Sequence, residues 1–252
     1  MDKILVIGDS CEDVFVYGKI TKKSPEGMGM VFLSEYKISN SGMTLNVFDN
    51  IIGMGGVGTF YSDSGCIKKT RYVDKDTNEL YLRVDENDSV DRIEFDDLFY
   101  YIPDLLEHDA IIISDYCKGF LCEDDIERIS KIHPFVVLDT KKRLGNWCRY
   151  VKFIKLNRIE YEYNRDIIYD FPWLSDKVIV TLDSDGAMYR KKVLPVNHVD
   201  NPDVSGAGDT FVAGFTLEYL KNNDIYNSIA VANKYACDVV RHKGVTVWNN
   251  EL

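Results

Sequence analysis

Five runs along the chain are apolar with almost no polar alternation: KILVIGD (3–9), AIIISDY (110–116), FVVLDT (135–140), FIKLN (153–157) and KVIVTLD (177–183). A strand with one wet face alternates, whereas a strand covered on both faces stays apolar, so these runs predict a parallel sheet sandwiched between helices. Helical spacing follows in three places. EDDIERISKI (123–132) has acids in its first turn and a base in its last, which complements the helix dipole. VANKYACDVVRH (231–242) sets Ala232, Tyr235, Ala236, Val239 and Val240 on one stripe, and Thr210 to Leu220 reads as a further helix. Two stretches depart from the pattern: 17–39 and 70–88 are more polar and partly alternating, which predicts antiparallel ribbons outside the main sheet. The expected fold class is α/β, three layers α/β/α with a mainly parallel sheet. The two segments, approximately 14–40 and 68–86, are expected to form a small β-lid on one domain spanning 1–252 rather than a domain of their own.

Each buried run ends in polar residues: Asp9, then Ser114 with Asp115, Asp139, Asn157 and Thr181. In open parallel sheets the ligand crevice lies beyond the carboxyl ends of the strands, so these side chains either converge on one site or merely punctuate strand ends. Composition narrows the partners. With 45% hydrophobic and 28% charged residues the chain reads as globular, and a formal charge of −11 argues against general affinity for nucleic acid or an anionic membrane. The start, MDKILVIGD, is too short an apolar run for a signal peptide, and no run of roughly 18 apolar residues occurs, so a cytoplasmic protein is expected. Its six cysteines, at 11, 66, 117, 122, 148 and 237, form no CxxC pair and are read as packed, reduced thiols.

Candidate chemistry concentrates in NPDVSGAGDTFVAGF (201–215). Gly206 and Gly208 allow close backbone approach just before a helix, whose first amides, from Gly206, Ala207, Gly208 and Asp209, would cradle an anion. A carboxylate beside such a cradle is electrostatically costly. Asp209 either caps the helix or takes a proton from a hydroxyl that attacks a phosphoryl group. The chain has no G-x-x-x-x-G-K-[ST], no G-x-G-x-x-G after the first strand and no G-x-S-x-G. Phosphoryl transfer to a small hydroxyl compound is the reading that survives.

The stretch DVSGAGDTFVAG resembles the signature of the ribokinase-like, pfkB-type carbohydrate kinases. Similarity extends through VIGDSCEDVFVYG (6–18), SPEG (24–27), GMTLNVFDNIIGMG (42–55), SDYCKG (114–119), LDTK (138–141) and LNRIE (156–160), most nearly as in kinases of heptose 7-phosphate. The resemblance implies Asp209 as base with Gly206, Ala207 and Gly208 as the anion hole, and Asp13, Gly42 and Asn46 around the sugar. It further implies that Asn157, Arg158, Ile159 and Glu160 help place ATP, that Glu160 serves Mg²⁺ directly or through water, and that Thr181, Gly186 and Asn233 wrap the nucleotide. Asp203 and the 241–246 turn are candidates for a K⁺ site. For Asn157 and Glu160 a plain turn and helix start is the alternative. Lys69, Arg71, Arg83 and Lys118 are candidate partners for a substrate phosphate, because an acidic protein handling two anions needs a local positive field.

Two departures stand out. Met43 follows Gly42 where the family has a second glycine, and the chain is shorter than the family between 65 and 68 by about one helix–strand unit. The expectation is an ATP-dependent kinase of a sugar phosphate, heptose 7-phosphate at its anomeric hydroxyl, working as a homodimer paired through the lid. The alternatives are a kinase of another sugar or a nucleoside, and a relative that binds these ligands without turnover.

Overall fold

The apolar runs form the centre of the main sheet in the computed structural model, which describes residues 2–63, 67–94 and 105–252. In chain order the elements are β1 (Lys3–Gly8), β2 (Ser10–Lys23), β3 (Met30–Met43), α1 (Thr44–Gly53), β4 (Val57–Ser62), β5 (Lys68–Asp74), β6 (Leu80–Glu86), β7 (Ala110–Asp115) and α2 (Glu123–Ile132). There follow β8 (Val136–Thr140), β9 (Phe153–Asn157), α3 (Arg158–Tyr163), α4 (Arg165–Asp170), β10 (Val178–Thr181), β11 (Ala187–Tyr189), β12 (Lys192–Leu194), α5 (Ala207–Asn222) and α6 (Ile225–Val239). Among the described residues the main sheet runs β12-β11-β10-β9-β8-β7-β1-β4. Every pair from β10 to β4 is parallel, and β11 and β12 close one edge antiparallel.

Burial on both faces explains the unbroken apolar runs. Along β1, Leu5 and Ile7 enter one core with Ile126 and Ile129 of α2, while Ile4 and Val6 enter the other with Val47 and Ile51 of α1 and Phe211 and Phe215 of α5. The result is the expected helix–sheet–helix sandwich. Helix α5 is buried all round from Asp209 to Leu217, so it lies inside its layer and its N-terminus is fixed at the strand ends.

The two polar stretches form a second sheet of order β3-β2-β5-β6. Each is a hairpin, and the hairpins join through parallel pairing of β2 with β5, Asp13 lying opposite Lys69. Strands β4, β11 and β12 were not expected from the sequence. β4 contains a glycine and is half exposed at the sheet edge, and β11 and β12 are three residues each, so none carries a long apolar run. The free cysteines at 11, 117, 122, 148 and 237 are unpaired, and Cys66 lies outside the described residues.

Candidate active site

A cavity of about 330 Å³ opens beyond the carboxyl ends of β9 and β10. The glycine-rich turn before α5 forms one wall with Gly206, Ala207, Gly208 and Asp209, and Asn157, Thr181, Gly186 and Asn233 also line it. Val196, Val199, Pro202, Val204, Phe211 and Val240 supply an apolar side. Gly206 caps α5 with φ 79°, a left-handed conformation that glycine takes without strain. In a helix beginning at Ala207 the first amides have no acceptor within the helix. Ala207 turns its N–H to the Val204 carbonyl at 3.3 Å and Thr210 donates to Gly206 at 3.0 Å, which leaves the Gly208 and Asp209 amides as the ones without a helical partner.

Asp209 is not the helix cap. It sits in the first turn, 4% exposed, and its carboxylate accepts from Asn46 Nδ2 and from the Tyr116 hydroxyl, each at 2.8 Å. Burial raises its pKa to about 6, and the Asp139 charge adds to that. The hydrogen bonds from Asn46 and Tyr116, together with the Lys155 charge, pull the other way. A carboxylate so tuned stays ionised at neutral pH yet is a better proton acceptor than an exposed one.

Lys155, in the middle of apolar β9, is the main site residue that the sequence reading did not assign. Its ammonium lies 2.8 Å from Asp139 Oδ2 on the neighbouring strand, in register, with both side chains buried. A Cβ added at Gly208 would fall 2.8 Å from that ammonium, so the cation stands directly against the glycine-rich turn. The missed signal was a lysine inside a strand that otherwise reads as fully buried. Lys141, just past the end of β8, is a further cation at the site: it lines the cavity and pairs with Glu160 Oε1.

The N-x-x-E stretch folds as a capping box. Asn157 Oδ1 accepts from the Glu160 amide at 2.8 Å and Glu160 Oε2 accepts from the Asn157 amide at 2.7 Å. Asn157 reaches the cavity wall, whereas Ile159 is 80% exposed and lies off it. Arg158 ties α3 to the next loop through the Leu182 carbonyl and Asp185. Thr181 donates to the Leu156 carbonyl at 3.4 Å, Asn233 donates to the Leu194 carbonyl at 2.9 Å, and Gly186 has φ 93° with no room for a side chain. The Asp203 carboxylate accepts the amides of Ser205 and Gly244, which fastens the turn at 241–246 to the loop before α5.

None of the predicted acceptor residues lines that cavity. Asp13 pairs with Arg71, and a Cβ at Gly42 would fall 2.2 Å from Asp13 Oδ2, so only glycine fits there. Asn46 holds Asp209 itself. Of the four candidate phosphate partners, Arg71 is paired with Asp13, Arg83 with Asp85 and Lys118 with Asp88, while Lys69, 7% exposed, has its ammonium 5.3 Å from the Tyr116 ring centre. Met43 adopts φ 59°, ψ −127°, a conformation suited to glycine, and its buried side chain packs with Cys11 and Ile67 against Tyr116. Of the polar strand ends, Asn157 and Thr181 line the cavity. Asp9 instead accepts the amides of Tyr116, Lys118 and Phe120, and Asp115 binds Thr140 and Lys142, so these two build loops.

Residues 140–251 match the family model described as pfkB family carbohydrate kinase. Ribokinase from Thermotoga maritima superposes with a TM-score of 0.74 at 15% identity, covering 97% of this chain and 95% of that one. Arabidopsis thaliana ribokinase, solved with ribose and ATP, gives 0.68 at 14%, covering 98% and 96%. The fold is thus ribokinase-like, and the C-terminal part of the chain is similar to the pfkB carbohydrate kinases. Among curated proteins the chain is similar to the bifunctional protein HldE of Helicobacter pylori (strain Shi470), 27% identical over 97% of this chain. It spans 64% of that protein's length. Among the described residues no helix is long and apolar enough to cross a membrane.

Proposed function

We propose that the protein transfers the γ-phosphoryl group of ATP to the anomeric hydroxyl of a heptose 7-phosphate. The observation that carries the transfer is Asp209, a buried, doubly hydrogen-bonded carboxylate at the N-terminus of α5, beside a cavity with a paired cation in its floor. The acceptor identity rests on the similarity to HldE and on the spare ammonium of Lys69 on the acceptor side.

ATP would lie in the cavity with its base against the apolar wall and its phosphates toward Lys141, Lys155 and the Gly208 amide. Asp209 takes the acceptor proton as the oxygen attacks phosphorus. The amides and the Lys155 ammonium face the charge that spreads over the transferring group, and they need no reorganisation at that moment. Gly208 lets the ammonium approach that closely. The oxygen donors Glu160 and Asn157 suit Mg²⁺, which prefers carboxylate and phosphate oxygens, and Glu160 is already fixed by its capping box. When bound, the ion would neutralise charge on the ATP phosphates. Over the acceptor, the second sheet acts as a lid that excludes water, which otherwise competes as acceptor.

The edge strands of that lid expose Leu33 and Ile38 on β3 and Leu80, Leu82 and Val84 on β6. A second copy of the chain would cover these edges, so the active species is a homodimer. Sedimentation showing only monomer at micromolar concentration overturns that part.

The function is tested with MgATP and a panel of sugars and sugar phosphates, following ADP, for the wild type and for Asp209→Asn. Acceptor-dependent ADP that is largest with heptose 7-phosphate, and lost in the variant, is expected. ADP release with a different acceptor would keep the mechanism and replace the substrate, and binding without acceptor-dependent ADP would make the protein a binder.

A further inference from the structure

We propose that Tyr116 is a positioning residue for phosphoryl transfer: its hydroxyl, held by a rigid surround, fixes Asp209 Oδ1 so that the carboxylate presents its remaining lone pairs to the acceptor alcohol. This rests on Asp209 being the base. Each carboxylate oxygen can accept about two hydrogen bonds. Asn46 occupies one position on Oδ2 and Tyr116 one on Oδ1, both at 2.8 Å, so orientation is fixed while acceptor capacity remains.

The surround makes the hydroxyl a fixed donor. Asp9 pins the backbone of the loop through the amides of Tyr116, Lys118 and Phe120 at 2.7, 3.2 and 3.3 Å. The ring packs against the cluster of Cys11, Met43 and Ile67. Ammonium groups of Lys69, from the lid, and Lys141, from the nucleotide side, stand 5.3 and 5.1 Å from the ring centre. Burial and the nearby Asp209 and Asp139 charges keep the phenol protonated, so it donates at any working pH. The ionisable groups facing Asp209 are Asp139 on β8, Lys155 on β9, Lys141 beyond β8, Cys11 on β2 and Tyr116 itself. Among them only Tyr116 donates a hydrogen bond to the carboxylate, so its removal acts on the base directly.

The test is the pH profile of kcat/KM for wild type, Tyr116→Phe and Asp209→Asn with MgATP and the most active acceptor of the panel. Loss of a hydrogen bond to a charged group should move the acid limb of Tyr116→Phe upward by about one pH unit, and loss of orientation should lower the plateau on the order of tenfold. A tyrosine that merely packs would lower the plateau or the melting temperature and leave the limb in place, and that result overturns the proposal. Replacing Tyr116 by 3-fluorotyrosine, a stronger donor of nearly the same shape, should move the limb downward, and it serves equally if the phenylalanine variant does not fold. An unmoved limb there is equally fatal. If Asp209→Asn keeps full turnover, the base assignment fails first and Tyr116 falls with it; if Asp209→Asn is dead and both Tyr116 limbs are unmoved, only the present proposal fails.

Discussion

Replacing Met43 by glycine and by alanine should reverse the usual order of those two residues. The buried Met43 side chain contributes by filling space beside Cys11, Ile67 and Tyr116, and truncating such a group costs about 2–5 kcal/mol in either variant. The backbone at φ 59°, ψ −127° adds a second effect. Any residue with a Cβ held there carries about 1–3 kcal/mol of strain, which alanine keeps and glycine releases. Against that, glycine loses more freedom on folding, by about 0.5–1 kcal/mol. The glycine variant should therefore be the more stable of the two by about 1 kcal/mol, or roughly 2–4 °C in melting temperature for a chain of this size. Urea unfolding of the pair measures it, with alanine and glycine at Asp49 in α1 as the control in which alanine should win by about 1 kcal/mol. If Met43→Ala equals or exceeds Met43→Gly in stability, the backbone at 43 is unstrained and the reasoning fails.

Other consequences follow from the same site. Lys155→Met should lower kcat on the order of 100-fold with little change in acceptor KM, because the ammonium faces charge that develops during transfer; an unchanged kcat would remove it from the mechanism. Gly208→Ala should show a weaker form of that defect with the melting temperature nearly kept, since the new methyl can be accommodated only by pushing the lysine tip aside. Asp209→Asn should be more stable than wild type at pH 8 and not at pH 4. The folded carboxyl has its pKa raised to about 6 from 3.8, so its contribution is present at low pH and lost as pH rises through about 6. At ~1.4 kcal/mol per unit the advantage is about 2–3 kcal/mol, and equal denaturation midpoints at both pH values would contradict it.

The sheet was legible because five strands are buried on both faces, and burial writes itself into a run of apolar letters. The ends of the sheet were not, since edge strands such as β4 and three-residue strands such as β11 bury too little to leave a pattern. Within the site, the glycine turn and the Asn157–Glu160 box were readable as short-range features, because each closes within a few residues. Met43 was visible only as a departure from a resemblance; its backbone angles say why glycine suits that position. The contacts that tune Asp209 were hidden. Tyr116 and Asp209 are 93 positions apart, Asn46 and Asp209 are 163 apart, and the pairing of Lys155 with Asp139 depends on β8 and β9 being neighbours in register. Such partners exist only once the strand order is known.

The junctions around Asp9 leave almost no slack in the chain. β1 gives way to β2 after one residue, β3 passes into α1 without a loop, and the Thr44 amide is bonded to the Asp9 carbonyl at 3.0 Å. Asn46 follows within the first turn of α1, so a pull on the outer ribbon arrives at the partner of Asp209 within four residues of Gly42. The molecule is geared: whatever presses on the ribbon also steers the carboxylate, and a flexible insert between β3 and α1 would disengage the two.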